Sequence, residues 1–219
     1  MLILYCKDCR FSLLSKRLPP DSSFLLSLLF NSPMTLPPDF DAQTFWDDAP
    51  YAQKSYTEPA PTDELIARVE ADLGYRLPAF YVALMRVRNG GVPVNTSFPT
   101  TEPTSWADDH IAITAICGIG YEKSISLCGD QGSQFMQEEW GYPAIGVVVA
   151  DCPSAGHDLV MLDYRACGPQ GEPAVVHIDQ EDDYRITPLA PNFEAFVRGL
   201  LPEAGSDEAN ATYDDFTVL

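Results

Sequence analysis

The feature that most constrains the fold is a series of short apolar runs between residues 111 and 189. The runs contain many Val and Ile residues, and Gly, Pro or Asp clusters separate each run from the next. They are IAITAICGIG (111–120), KSISLCG (123–129), PAIGVVVADC (143–152), HDLVMLDY (157–164), PAVVHID (173–179) and YRITPL (184–189). Short β-branched runs bounded by turn residues are typical of successive antiparallel strands. The sequence therefore predicts a mainly antiparallel sheet of about six strands.

Helical patterns precede, interrupt and follow this sheet. A first helix is expected to begin after the capping residue Thr62 and to end at Gly74, and a second to begin at Pro78. Between the second and third runs, residues 133–143 predict a helical turn and a corner. An amphipathic pattern over 191–201 predicts a C-terminal helix that packs on the sheet. Two helices, a sheet and a last helix indicate an α+β fold.

The composition changes along the chain and suggests four segments. Residues 62–201 form the predicted α+β domain, and the Pro-rich stretch 34–61 is expected to be an extended arm. Residues 202–219 are acidic and contain few packing residues, which predicts a flexible tail. Residues 1–33 carry four basic and two acidic side chains, whereas the rest of the chain has a net charge of −21. We therefore expect residues 1–33 to be a misassigned or disordered leader, with translation beginning at Met34.

The apolar runs and the cysteines indicate a cytoplasmic protein. No run reaches the roughly 18 apolar residues that a spanning helix needs, and the run at 24–30 lacks the flanks and cleavage pattern of a secretion signal. Cys6 and Cys9 form a single CxxC, which is half of a zinc-finger ligand set. Four further cysteines lie in or beside apolar runs, where free cysteine behaves as a small hydrophobic residue. They are Cys117, Cys128, Cys152 and Cys167.

The stretch around residue 155 contains side chains that could perform thiol chemistry. Cys152 could act as a nucleophile, His157 as its base, and Asp158 or Asp163 as the group that orients the base. Successive residues of a strand point to opposite faces, so His157 and Asp158 are expected to diverge. This divergence argues against a catalytic arrangement, and we predict no catalytic residues. A thiol hydrolase that uses Cys152 and His157 is the alternative.

A metal site is a second interpretation of the same stretch. Asp151, Cys152, His157 and His177 are ligand types that zinc accepts. Histidines among Val and Ile on a strand, such as His177, are more often structural and hydrogen-bonded. The stretch is also typical of a strand, a tight turn at Gly156 and a second strand. We therefore predict neither a metal nor a cofactor.

Charge favours a protein partner. A strongly negative protein repels nucleic acid and attracts basic proteins. Two acidic patches stand out, one beside Trp140 and one before the last strand-like run, although such patches can also be ordinary solvated surface. The predicted partner-binding residues are Glu138, Glu139, Trp140, Asp179, Glu181, Asp182 and Asp183. We expect no nucleic acid or membrane partner, and the oligomeric state stays open.

Several motifs, taken in order, resemble the SUKH superfamily, and specifically its Smi/Knr type. LPxxY at 77–81 precedes the Asn-Gly-Gly of 89–91, and Trp140 and Pro143 form a W-x-x-P corner. Gly156 opens a strand that ends in the Leu-Asp pair at 162–163. The resemblance extends over roughly residues 63–201. It does not extend to the Pro-rich arm or to residues 92–109, which we expect to form a surface loop.

The resemblance implies an α+β fold and a protein without catalytic activity. Bacterial members of the superfamily resemble immunity proteins that bind and neutralise toxins, often nucleases or deaminases, of polymorphic or contact-dependent systems. Fungal relatives act as regulators of cell-wall synthesis and signalling. The resemblance thus favours an immunity protein that binds a basic toxin domain, and a regulatory scaffold without a toxin partner is the other alternative.

Overall fold

A computed structural model describes residues 35–203. The expectations for the leader at 1–33 and for most of the acidic tail concern residues outside this range. Within the described range, no helix is both long and apolar enough to cross a membrane.

Six helices are present among the described residues, and local sequence signals explain the ends of the longer ones. Thr62 Oγ1 accepts a hydrogen bond from the Leu65 amide at the start of the third helix, and Gly74 ends that helix with a φ of 78°. That left-handed conformation favours glycine. The helices are α1 (Ala42–Phe45), α2 (Pro50–Tyr56), α3 (Asp63–Leu73), α4 (Ala79–Val87), α5 (Ser133–Glu138) and α6 (Phe193–Arg198).

Seven strands form two antiparallel sheets in the described part of the chain. They are β1 (Ser97–Pro99), β2 (His110–Ala112), β3 (Ala115–Ile116), β4 (Gly146–Asp151), β5 (Asp158–Asp163), β6 (Ala174–Asp179) and β7 (Arg185–Ala190). β1 pairs with β2, and the larger sheet has the order β3-β4-β5-β6-β7. Pro188 lies on β7, an edge strand, where the absence of an amide donor is tolerated. The α+β fold and the antiparallel meander are confirmed.

Two of the expected segments differ from the structure. KSISLCG at 123–129 is not a strand, because it folds into turns around the buried carboxylate of Glu58. Glu58 Oε1 accepts hydrogen bonds from the amides of Glu122 (3.1 Å) and Lys123 (3.2 Å), and also from the Ser126 hydroxyl. Side-chain acceptors of this kind compete with strand pairing for backbone donors. The expected surface loop at 92–109 contains β1, whose Ser97 also exchanges two backbone hydrogen bonds with Leu201.

The Pro-rich arm is not continuously extended. Asp41 caps α1 by accepting a hydrogen bond from the Gln43 amide, and Pro50 occupies the first turn of α2. Proline suits that position because its fixed φ matches a helix and the first turn needs no amide donor. Trp46 lies between the two helices, is buried, and pairs with Pro93 in an isolated bridge. The arm is therefore packed against the domain at this point.

α4 and α6 pack against each other, and α6 also contacts β6 and β7. Tyr81 of α4 meets Phe193 of α6 edge to face, with the ring centroids 5.0 Å apart. The Tyr81 hydroxyl donates to the Cys117 carbonyl at 2.6 Å, so this fully buried ring has a partner for its polar end. One turn further along α6, Phe98 of β1 contacts Phe196. The predicted packing of a C-terminal helix on the sheet is thus present.

Asn89, the first residue of the Asn-Gly-Gly motif, connects two segments of the fold through its side chain. Its side chain is buried and donates to the carbonyls of Pro59 and Ile119, each at 2.9 Å. Its Oδ1 accepts from the Ile119 amide at 2.7 Å. One side chain therefore joins the end of the arm to the segment after β3.

We expect Asn89→Ala to lower the free energy of unfolding by about 2–4 kcal/mol, because three hydrogen bonds are lost and buried backbone groups stay unpaired. Asn95→Ala is the matched control, since the Asn95 side chain donates a single hydrogen bond, to Leu200, at 3.2 Å. That control should cost about 1 kcal/mol or less. Urea unfolding measures both values. Equal losses of unfolding free energy in the two variants would contradict the role of Asn89 in joining the arm to the segment after β3.

Candidate functional site

The two predicted acidic patches lie side by side in the structure. We call Glu138, Glu139 and Trp140, together with Glu181, Asp182 and Asp183, the acidic corner. Tyr184 joins the two halves, because its hydroxyl donates to the Trp140 carbonyl at 2.5 Å. Its ring also meets Tyr142 edge to face, with the centroids 5.3 Å apart. Segments separated by about 40 residues thus form one surface.

The turn between β6 and β7 has an unusual backbone. Asp183 and Tyr184 adopt left-handed conformations, with φ values of 53° and 57°. Asp tolerates this region, whereas it is uncommon for a bulky residue such as Tyr. The Arg185 amide closes the turn by donating to the Asp182 carbonyl at 3.0 Å. The turn is therefore tight, and its acidic residues lie close together.

Most of the carboxylates of the acidic corner are exposed and lack a strong cationic partner. Glu138, Glu139 and Asp183 form no ion pair with any residue between 35 and 203. Asp182 pairs with Arg185 at 2.8 Å. Glu181 Oε1 lies 3.9 Å from His157 Nδ1. The imidazole balances the charge of Glu181 only when it is protonated. The corner therefore presents uncompensated negative charge.

Asp179 is the one predicted site residue that is buried. Its carboxylate accepts hydrogen bonds from the amides of Ser105 (3.0 Å) and Glu181 (3.1 Å). Burial alone would raise the pKa of Asp179, but the hydrogen bonds from Ser105 and the nearby His177 lower it. Asp179 thus holds the turn in place, and its carboxylate does not face a partner.

A groove lies beside Glu138 and Glu139, between the end of α3 and α5. Its volume is about 730 Å³. Three acidic and three aromatic side chains contribute to its walls: Asp72, Glu138, Glu139, Tyr75, Tyr121 and Phe135. We call it the acidic groove. It is large enough to receive side chains from a docking protein.

Tyr121 is positioned in the acidic groove by two contacts. Its hydroxyl donates to Asp72 Oδ2 at 2.5 Å, and the Arg68 guanidinium lies 4.5 Å from the centre of its ring. Burial and the hydrogen bond to Asp72 raise the pKa of Tyr121 to about 12, so the phenol stays neutral. The sequence did not predict a binding role for Asp72 or Tyr121, because neither belongs to a motif and only folding brings them near Glu138.

Trp140 also borders a smaller cavity of about 210 Å³. Gly156 approaches the indole closely, since a Cβ on this residue would lie 3.2 Å from the ring. Gly156 has a φ of 94°, which also favours glycine. Asp151 lines the same cavity, and burial raises its pKa to about 6. The tight turn predicted at Gly156 therefore fixes the position of Trp140.

The structure does not bring Cys152 and His157 together as a catalytic pair. His157 is exposed, with Nδ1 3.1 Å from Gln180 Oε1 and its ring centre 5.8 Å from that of Trp140. Cys152 is 1% exposed, and no hydrogen bond joins it to His157 in the described structure. Burial, followed by the charges of Asp158 and Asp151, raises the pKa of Cys152 well above its usual value. The thiol is therefore protonated and inaccessible.

Cys152 instead lies near a buried histidine and carboxylate that the sequence did not pair. His177 Nε2 is 2.7 Å from Asp158 Oδ2. A ligand atom of Cys152, one of Asp158 and one of His177 lie within 4.8 Å of one another. The β5–β6 register explains this, because Asp158 opposes Asp179 and His177 opposes Val160, which places Asp158 and His177 on one face. The metal interpretation from the sequence names Cys152 and His177, which belong to this group, and Asp151 and His157, which do not. It omits Asp158.

Comparison with known proteins identifies the family. A family model described as SMI1-KNR4 cell-wall (SUKH_6) matches residues 63–197, more than half of the chain. The match includes the acidic corner and the acidic groove, and excludes the Pro-rich arm. No curated protein matches the chain, and no solved structure matches it either. The resemblance inferred from the LPxxY, Asn-Gly-Gly and W-x-x-P motifs is confirmed, and the chain belongs to the SMI1-KNR4 cell-wall family, SUKH_6.

Proposed function

We propose that this protein is a cytoplasmic, non-enzymatic immunity protein that binds a basic toxin domain through its acidic corner. The toxin would be of the nuclease or deaminase class and belong to a polymorphic or contact-dependent system. The observation that carries this proposal is the cluster of exposed carboxylates around Trp140, several of which have no cationic partner in the described structure. Membership in the SMI1-KNR4 family is consistent with a protein-binding role.

Electrostatics favours a basic partner. The full chain has a net charge of −19, so its field attracts basic proteins and accelerates their encounter. Toxins that act on nucleic acids need positive surfaces, because their substrates are polyanions. An acidic protein that binds such a surface would exclude the substrate. Inhibition would then need no chemical step from the immunity protein.

The shape of the acidic corner also suits a protein partner. Trp140 is partly exposed, follows Glu138 and Glu139 directly, and has its ring 5.8 Å from that of His157. Aromatic side chains often contribute most to binding energy at interfaces. The adjacent acidic groove offers carboxylates next to the rings of Tyr75 and Tyr121. Carboxylates and aromatic faces together suit Lys and Arg side chains. We therefore expect basic side chains of the partner to enter the groove.

The direct test co-expresses this protein with the C-terminal domain of a secreted toxin encoded by the neighbouring gene. We expect the two proteins to co-purify and the growth of toxin-producing cells to be restored. If the toxin domain neither binds nor loses its activity, the immunity role is wrong. A locus without a neighbouring toxin gene would favour the scaffold alternative.

Charge removal at the acidic corner should weaken this complex. In a Glu138→Gln/Glu139→Gln variant we expect the Kd for the toxin domain to rise about tenfold, mainly through slower association. The salt dependence of the association rate should also become weaker. Surface plasmon resonance at low and high ionic strength measures both effects.

A Glu64→Gln/Glu203→Gln variant is the matched control, because it removes the same number of exposed charges elsewhere. We expect this control to change the Kd less than about twofold. Equal weakening by both variants would show that net charge matters and that the acidic corner does not.

If Cys152 performs no thiol catalysis, the cysteines should show a specific labelling pattern. In a full-length Cys6→Ser/Cys9→Ser protein, exposed Cys167 should react rapidly with a disulfide reagent at about pH 8, because solvent reaches its thiol. Cys128 should react slowly, because burial raises its pKa to about 11. Buried Cys152 should react only after unfolding. Peptide mapping identifies the labelled thiols, and rapid labelling of native Cys152 would favour the thiol hydrolase.

A further inference from the structure

The buried group formed by Cys152, Asp158 and His177 combines three different metal-ligand types. Cys152 follows β4, Asp158 begins β5 and His177 lies within β6, so three neighbouring segments of one sheet supply them. Cys152 is 1% exposed, and the side chains of Asp158 and His177 are 2% and 0% exposed. Thiolate, carboxylate and imidazole are ligands that zinc accepts. The group therefore has suitable chemistry and no exposure to bulk water.

The distances are compatible with one ion. The three ligand atoms lie within 4.8 Å of one another. Two ligands of a tetrahedral zinc ion with bonds of about 2.0–2.3 Å are about 3.3–3.8 Å apart. Small side-chain rotations would reach this arrangement, because the distance between any two ligand atoms would have to shorten by no more than about 1.5 Å.

Two polar atoms of the group have no hydrogen-bond partner among the described residues. They are Asp158 Oδ1 and His177 Nδ1, and both are buried. Buried polar atoms without partners are rare in native proteins, and an ion is one of the few explanations. His177 Nε2 and Asp158 Oδ2 face each other at 2.7 Å, so an ion held by both would replace this hydrogen bond and bind the Nε2 lone pair, with the imidazole proton on Nδ1. The site thus contains lone pairs that a cation would satisfy.

The local charge also favours a cation. Asp151 and Asp179 lie near this group, so carboxylates outnumber the single imidazole in this part of the core. Buried charges are expensive unless they are balanced. Zn²⁺ bound to a Cys152 thiolate, the Asp158 carboxylate and neutral His177 would form a neutral unit. Binding would release the thiol proton to solvent.

We propose that Cys152, Asp158 and His177 bind one Zn²⁺ ion that joins β4, β5 and β6. These three side chains supply three ligand atoms, and Asp158 Oδ1, which has no hydrogen-bond partner among the described residues, would lie beside the ion as the second oxygen of the same carboxylate. The ion is structural, because the side chains around it are buried and no substrate reaches it. This proposal is independent of the partner that the acidic corner binds.

The test measures zinc in full-length protein purified without chelators. Cys6 and Cys9 are replaced by Ser in every sample, because their CxxC could bind zinc separately. We expect about one zinc ion per chain by mass spectrometry. Asp158→Asn, which preserves the shape of the side chain, and Cys152→Ser should each reduce the zinc content at least tenfold. Cys117→Ser is the control, because this buried thiol lies outside the group and its loss should leave the zinc content unchanged.

Cobalt substitution tests the site without changing its ligands. Co²⁺ added to the metal-free Cys6→Ser/Cys9→Ser protein should produce the intense near-ultraviolet absorption of a thiolate-to-cobalt bond. Zn²⁺ should displace it and raise the melting temperature. Protein that contains no zinc and shows no such absorption with Co²⁺ would overturn the proposal. Retention of zinc by both Asp158→Asn and Cys152→Ser would overturn it as well.

Discussion

The fold depends on the burial of both faces of its central strands. Five of the six residues in each of β4, β5 and β6 are buried, so helices and connecting segments cover the sheet on both sides. Polar side chains on these strands must then find partners inside the protein, as Asp158 and His177 do. No charged side chain on β4, β5 or β6 is exposed. A binding surface in this fold is consequently assembled from turns and helix ends, which is where the acidic corner lies.

Aspartate and glutamate have two distinct roles in this protein. Asp179 and Glu58 are buried, and each uses its carboxylate to hold backbone amides of a distant segment. Glu138, Glu139 and Asp183 are exposed and form no ion pair among residues 35–203. The buried carboxylates make the fold specific, and the exposed ones are available for binding. Position in the fold, and not residue type, determines which role each acid performs.

Local signals predicted the elements that depend on nearby residues. The ends of α3 followed from Thr62 and Gly74, and the strands β4 to β6 followed from their apolar runs. The errors occurred where distant residues decide the conformation. Glu58 accepts hydrogen bonds from the amides of Glu122 and Lys123, where the expected strand at 123–129 would begin. The Ser105 amide binds the buried Asp179 carboxylate, which is therefore not part of the exposed surface. No local pattern could reveal these contacts, because each joins segments separated by more than 60 residues.

Amide hydrogen exchange of the free and partner-bound protein is the most direct test of the central claim that the acidic corner is the binding surface. On binding, we expect exchange to slow at least about tenfold in residues 133–142 and 180–184, where the two halves of the corner lie. Exchange in α4 should stay unchanged, because this helix packs in the core. Protection confined to the β1–β2 hairpin, with no change in either half of the acidic corner, would contradict the claim.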